Sequence, residues 1–240
     1  MKAANILIIL IVNLFIISCA ASNSIIKPEL EKDNIFQYGT MQNFLNRNYD
    51  GTLTIKELKQ NGDFGLGTFN GVNGEMVVSD GKVYRVSASG EIFEVEENEL
   101  SPYAVVKFFN PDTSIILNKR MGFVELKNII TNNISDSSKP VAIRIIGKYE
   151  KVKTRTVNKQ SRPYPPLTDI IENQIEFNFK DINGSAIGFW FPDYFAEVNF
   201  PSYHFHFLTN GKSGGGHLLD CTISNVIIEL DFPDELFIKF

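Results

Sequence analysis

The 240-residue sequence predicts an α+β fold in which β-strands dominate. Short runs that alternate apolar and polar residues, such as 83–86, recur between glycines and turn residues, which is the pattern of half-buried strands. Helical spacing is confined to a few short stretches. The strands follow one another closely in the second half of the chain, which predicts a barrel or a sandwich there. Because 43% of the residues are hydrophobic and 12% aromatic, the chain can bury one large core or two small cores.

The first 18 residues are typical of an export signal. Lys2 precedes an apolar run from Ile6 to Ile17 that is too short to anchor the chain in a bilayer. Ile16-Ile17-Ser18-Cys19 resembles the lipobox of bacterial lipoproteins, although an ordinary secretory signal with a chance cysteine is the alternative. We expect an exported protein held at the cell envelope by a lipid on Cys19, with residues 19–34 as a tether.

Charge and cysteine content narrow the function classes further. The net charge of −5 becomes −6 once residues 1–18 are removed, which argues against a nucleic-acid partner. If Cys19 carries a lipid, Cys221 has no partner for an intramolecular disulfide. We expect Cys221 to be an ordinary strand residue.

The first folded elements are predicted to be short helices followed by strands. Met41, Phe44 and Leu45 have helical spacing, and Thr54 with Glu57 three residues later forms a capping-box pattern. Asp80-Gly81 predicts a hairpin turn. Further strands are expected at 103–109, 142–153, 174–180, 186–191, 203–208, 217–230 and 236–240, and helices at 122–131 and 166–173. The stretch 132–140 is the best candidate for a boundary between two domains, 35–139 and 140–240.

The three histidines of the chain, His204, His206 and His217, fall within 14 positions. On a strand, His204 and His206 point to one face while the intervening phenylalanine points to the other. The glycine-rich loop 209–216 can bring His217 beside them on a neighbouring strand. Three imidazoles with open positions suit a catalytic divalent metal, with zinc first and manganese, iron, cobalt or nickel also open. The alternative is a hairpin whose histidines bind no metal.

Several motifs together resemble the acetolactate decarboxylases. The similar segments are Gly62-Asp-Phe-Gly-Leu-Gly-Thr-Phe-Asn-Gly-Val-Asn-Gly-Glu-Met, Ser101-Pro-Tyr-Ala, Lys153-Thr-Arg-Thr-Val, Arg162-Pro-Tyr-Pro-Pro-Leu, Tyr203-His-Phe-His-Phe and Gly215-Gly-His-Leu-Leu-Asp. They occur in the family's order and spacing, from about Phe36 to the end of the chain.

The resemblance implies conversion of 2-acetolactate to (R)-acetoin and carbon dioxide at a zinc held by His204, His206 and His217. It assigns the family's active-site glutamate to Glu75 and its active-site arginine to Arg155. The implied fold is an N-terminal mixed β-sheet domain packed against a C-terminal β-barrel-like domain that carries the metal. The implied substrate is a small 2-hydroxy-3-keto acid, no organic cofactor is required, and a homodimer is left open.

Two departures from the family pattern keep other functions open. Ser202 stands where the family usually has glycine, and no residue up to Phe240 can be assigned the role of the glutamate in the family's C-terminal tail. One alternative is a catalytically weak or inactive metal-binding surface lipoprotein of the same fold. Another is a cupin-like dioxygenase or isomerase, which shares the His-x-His spacing on a β-barrel.

Overall fold

A computed structural model describes residues 33–240, which belong to one compact unit. The predicted signal, and the tether up to residue 32, lie outside the described residues. Within residues 33–240, no helix combines the length and apolar character needed to cross a bilayer.

Strands account for most of the regular structure in residues 33–240. The strands are β1 (Asn34–Tyr38), β2 (Leu53–Thr54), β3 (Phe64–Thr68), β4 (Glu75–Ser79), β5 (Lys82–Val86), β6 (Ile92–Glu94), β7 (Leu100–Ser101), β8 (Tyr103–Lys107), β9 (Thr113–Leu117), β10 (Met121–Gly122), β11 (Val141–Thr156), β12 (Ile175–Phe191), β13 (Ser202–Thr209), β14 (Gly215–Asp231) and β15 (Glu235–Lys239). The helices are α1 (Met41–Leu45), α2 (Ile55–Lys59), α3 (Phe123–Asn132) and α4 (Leu167–Glu172). The prediction of a β-rich α+β chain is confirmed.

A seven-stranded mixed sheet has the order β15-β1-β8-β3-β4-β5-β6. Only β15 and β1 pair in parallel within it. Asp80 and Gly81 both have positive φ, 52° and 74°, so the predicted hairpin turn between β4 and β5 is confirmed. The predicted capping box is also present, since Thr54 and Glu57 exchange hydrogen bonds at the start of α2.

A second, antiparallel sheet is built around the long strands β11, β12 and β14. Strand β11 lies between β14 and β12, and β13 pairs with both β12 and β14. Strands β9 and β10 add to β14. Buried residues of both sheets share one core, where for example the rings of Phe64 and Phe189 lie 5.9 Å apart. This packing brings β4 of the first sheet close to β13 and β14 of the second.

The structure corrects three sequence predictions. The chain was expected to begin with short helices, but its first described element is strand β1, which pairs with β8 and β15 and precedes α1. Residues 174–180 and 186–191 were expected to form separate strands, but β12 runs unbroken through them. Asp181, with φ at 49°, has no ladder partner, and pairing with β11 continues on both sides of it at Lys180 and Ile182. Strand β9 was not predicted. The helices expected at 122–131 and 166–173 are confirmed as α3 and α4. The domain boundary at 139/140 stays a prediction. Strands from both sides of it pair with each other: β9 and β10 pair with β14, and β15 pairs with β1.

Candidate metal centre and active site

The three histidines converge because of strand alternation and strand pairing. His204 and His206 alternate along β13 with Phe205 and Phe207, which are buried in the core on the other face. His206 lies directly opposite His217 of β14, and residues directly opposite each other in a ladder share one face. The ring centroids are 4.9 to 5.4 Å apart. One nitrogen from each ring lies within 4.8 Å of the others.

Hydrogen bonding fixes the orientation of the His206 ring. Its Nδ1 lies 2.7 Å from the carbonyl oxygen of Met76 in β4. Since a carbonyl can only accept, Nδ1 carries the hydrogen and Nε2 keeps a free lone pair. Among the described residues, His206 Nε2 and His204 Nδ1 are buried without a hydrogen-bond partner. Buried polar atoms without a partner are costly unless something binds them.

The protein environment keeps the imidazoles neutral. Burial lowers the pKa of His204 and of His217 well below the ordinary imidazole value, and neighbouring positive charge, including that of Arg155, adds to the effect. Burial also lowers the pKa of His206, although the nearby Glu75 carboxylate opposes the shift. At neutral pH the rings therefore present lone pairs and no charge. Three neutral imidazoles with inward nitrogens fit a divalent cation.

Glu75 and Arg155 reach the same cluster from different sheets. Glu75 begins β4 directly after Gly74, whose φ of 79° makes the tight turn possible. Arg155 near the end of β11 lies opposite His217 in the ladder. Arg155 Nη1 donates to Glu75 Oε1 over 3.0 Å, and Glu75 Oε2 is 3.2 Å from His206 Nε2, a contact that lacks hydrogen-bond alignment. All five residues predicted from the sequence thus lie together.

Two further observations concern residues around the cluster. Sequence reasoning missed Met76 because its contribution is a backbone carbonyl, which has no side-chain signature. Cys221 lies in β14 as predicted, and burial raises the pKa of its thiol to about 12, so it is not a reactive nucleophile.

Comparison with known proteins gives one consistent result. The sequence model of alpha-acetolactate decarboxylase matches residues 35–240. The alpha-acetolactate decarboxylase of Brevibacillus brevis is 37% identical over 83% of this chain and 70% of its own length. That of Bacillus licheniformis is 34% identical over 88% of this chain and 84% of its own length.

Solved structures agree with the sequence comparison. The alpha-acetolactate decarboxylase of Bacillus subtilis strain 168 aligns with a TM-score of 0.84 and 32% identity, covering 86% of this chain and 88% of that one. A Staphylococcus aureus protein of unknown function, described as similar to alpha-acetolactate decarboxylase, also aligns with a TM-score of 0.84, at 28% identity. With the histidine cluster in place on this fold, the chain belongs to the alpha-acetolactate decarboxylase family.

Proposed function

We propose that this protein decarboxylates 2-acetolactate to (R)-acetoin and carbon dioxide. The observation that carries the proposal is one buried cluster that joins three neutral imidazoles to a glutamate–arginine pair. Family membership names the reaction, and the cluster supplies groups suited to it. A carboxy-lyase of this kind needs a place to delocalise electrons, a group to hold the substrate and a proton donor.

The first need follows from the chemistry of the substrate. When the carboxylate leaves as carbon dioxide, the electron pair of the broken bond must move into the neighbouring carbonyl, which gives an enediolate. A divalent cation held by His204, His206 and His217 would supply Lewis-acid stabilisation of that negative charge. We propose zinc, because imidazole nitrogens suit it and it needs no redox partner.

Arg155 is suited to binding and orienting the substrate. Its guanidinium is planar and presents several donors, of which Nη1 is used by Glu75. The remaining N–H groups can donate to a carboxylate or an enediolate oxygen. Its side chain is 15% exposed, so this interaction takes place largely away from bulk water, where it is stronger.

Glu75 is suited to delivering a proton to one face of the enediolate. Arg155 holds Oε1, which fixes the carboxyl group and leaves Oε2 directed towards the histidines. The Glu75 carboxylate takes up a proton from solvent and transfers it to the carbon that lost carbon dioxide, which completes acetoin and returns Glu75 to the ionised form paired with Arg155. A donor fixed on one side yields one enantiomer.

The finer architecture is part of the same proposal. Pairing runs from β14 to β11, β12 and β13 and returns from β13 to β14, which supports a barrel-like second domain that carries the metal and packs on an N-terminal sheet domain.

A lipid on Cys19, an envelope location and a homodimer are proposed as well. Labelling with a radioactive fatty acid, with Cys19→Ser as control, tests the lipid and with it the envelope location. The mass of the protein in solution tests the homodimer.

Incubation of purified protein with racemic 2-acetolactate tests the function. We expect acetoin to form and to stop forming after treatment with a chelator. Stoichiometric metal without acetoin would instead support a metal-binding surface protein without turnover. Oxygen uptake in the presence of iron would support a cupin-like oxygenase.

A further inference from the structure

Two buried threonines flank Arg155 at the end of β11. Thr154 and Thr156 are both fully buried, and strand alternation places their side chains on the face opposite to that of Arg155. They cannot contact a substrate that Arg155 binds. Each hydroxyl nevertheless reaches a backbone carbonyl of another strand that serves the site.

Thr154 is linked to the strand of a histidine. Its Oγ1 donates to the carbonyl oxygen of Gly215 over 2.7 Å. Gly215 begins β14 two residues before His217. The backbone is closely packed here, since a Cβ on Gly216 would lie 2.5 Å from the carbonyl oxygen of Arg155. The hydrogen bond therefore fixes where β14 starts and how far His217 lies from β11.

Thr156 is linked to the strand next to Glu75. Its Oγ1 donates to the carbonyl oxygen of Val86 over 3.1 Å, and Val86 pairs with Glu75 across the β4–β5 ladder. This bond joins the second sheet to the first. The Arg155–Glu75 and His206–Met76 contacts make the same crossing. Thr156 thus helps to set the distance between Glu75 and Arg155.

We propose that Thr154 and Thr156 are positioning residues with separate targets: Thr154 places His217 for metal binding, and Thr156 places Glu75 against Arg155. The assignment to turnover rests on the proposed decarboxylase function, whereas the assignment to metal binding does not. Neither side chain touches the reacting atoms. Replacement by valine keeps the shape and removes the hydroxyl, and replacement by serine keeps the hydroxyl.

The experiment compares Thr154→Val, Thr154→Ser, Thr156→Val and Thr156→Ser in the full chain. Zinc affinity is measured by competition with a chromogenic chelator, and kcat and KM are measured with 2-acetolactate at saturating zinc. Since partners behind metal ligands typically matter about 10- to 100-fold, we expect Thr154→Val to weaken zinc binding at least about tenfold, with kcat close to wild type. We expect Thr156→Val to lower kcat about tenfold and to leave zinc affinity unchanged. Both serine variants should restore wild-type values.

Tyr149→Phe is the matched control. Tyr149 lies in the same strand and is fully buried, and its hydroxyl donates to the carbonyl oxygen of Ile145 over 2.8 Å. It lies six residues before Arg155, roughly 20 Å along the strand. Loss of this bond should lower thermal stability without changing zinc affinity or kcat.

Three outcomes distinguish the possible failures. If the valine variants fold and lose only stability, as the control does, the threonines serve packing alone and the proposal is wrong. If a valine variant does not fold, the matching serine variant decides. It keeps the hydroxyl, so a soluble serine variant with impaired zinc binding or turnover would show that the hydroxyl is not what positions the site, and the proposal would be wrong. If wild-type protein binds zinc but makes no acetoin, the decarboxylase function fails, while the zinc measurements still decide the role of Thr154.

Discussion

Replacement of Glu75 by glutamine tests the proposed proton donor. The amide has nearly the same shape as the carboxyl group but cannot deliver the proton. General acid catalysis by a positioned side chain contributes about 10²- to 10⁴-fold, so kcat should fall by about that factor. The acetoin that still forms should lose enantiomeric purity, since a proton from water arrives without a fixed face. Zinc affinity should change little, because the three imidazoles remain.

The cost in stability follows from the contacts of Glu75. The side chains of Glu75 and Arg155 are 8% and 15% exposed, and Nη1 donates to Oε1 over 3.0 Å. A glutamine oxygen can still accept this bond, but the charge of Arg155 loses its partner, which costs about 1–3 kcal/mol. At about 2–4 °C per kcal/mol for a domain of this size, Tm should fall by about 2–12 °C. Because folded proteins are typically stable by about 5–15 kcal/mol, the variant should remain folded at 25 °C.

The assay measures acetoin by chiral gas chromatography at saturating zinc, with Glu229→Gln as the matched control. Glu229 accepts from Arg144 Nε over 2.7 Å in the same two strands that carry Arg155 and His217. Glu229 lies in β14 opposite Arg144, eleven residues before Arg155 along β11, and it contacts none of the five site residues, so kcat should stay near wild type. A Glu75→Gln protein that turns over at the wild-type rate and gives one enantiomer would refute the proton-transfer role.

Three further predictions follow from the same structure. His204→Ala and His217→Ala should each weaken zinc binding more than about 100-fold in a chelator competition, since loss of a residue that only hydrogen-bonds to a metal ligand can already cost that much. Wild-type zinc affinity in either variant would rule that histidine out as a ligand. Arg155→Lys should raise KM about 10- to 100-fold, because it removes a hydrogen bond to the charged substrate, and such a bond contributes about 1.5–3 kcal/mol. An unchanged KM would exclude substrate binding by Arg155. Thr54→Ala should remove the capping box of α2 and cost about 1 kcal/mol, or about 2–4 °C in Tm, with activity unchanged; an unchanged Tm would mean the cap is not stabilising.

Local patterns predicted the parts of the fold that are decided locally. The period of two in residues 203–207 and the glycines before His217 were enough to place three rings on one face. The capping box at Thr54 and the turn at Asp80-Gly81 were likewise readable, because each depends on residues adjacent in sequence.

Pairing between strands that are distant in sequence could not be predicted from local sequence patterns. Asp181 to Gly184 has the composition of a turn, yet the ladder with β11 carries the chain straight through it. Strand β9 is five residues long, and its place is set by pairing with β14 more than a hundred residues later. The meeting of Glu75 with Arg155 depends on packing between two sheets. Only the family resemblance indicated it, because neither residue is unusual in its local sequence.

Titration of metal-free protein with zinc, while the rate of acetoin formation from 2-acetolactate is followed, tests the central claim most directly. We predict that the rate starts near zero, rises in proportion to added zinc and stops rising at one equivalent per chain, and that His206→Ala abolishes the response. A rate independent of zinc, or one equivalent bound with no acetoin formed, would contradict the account.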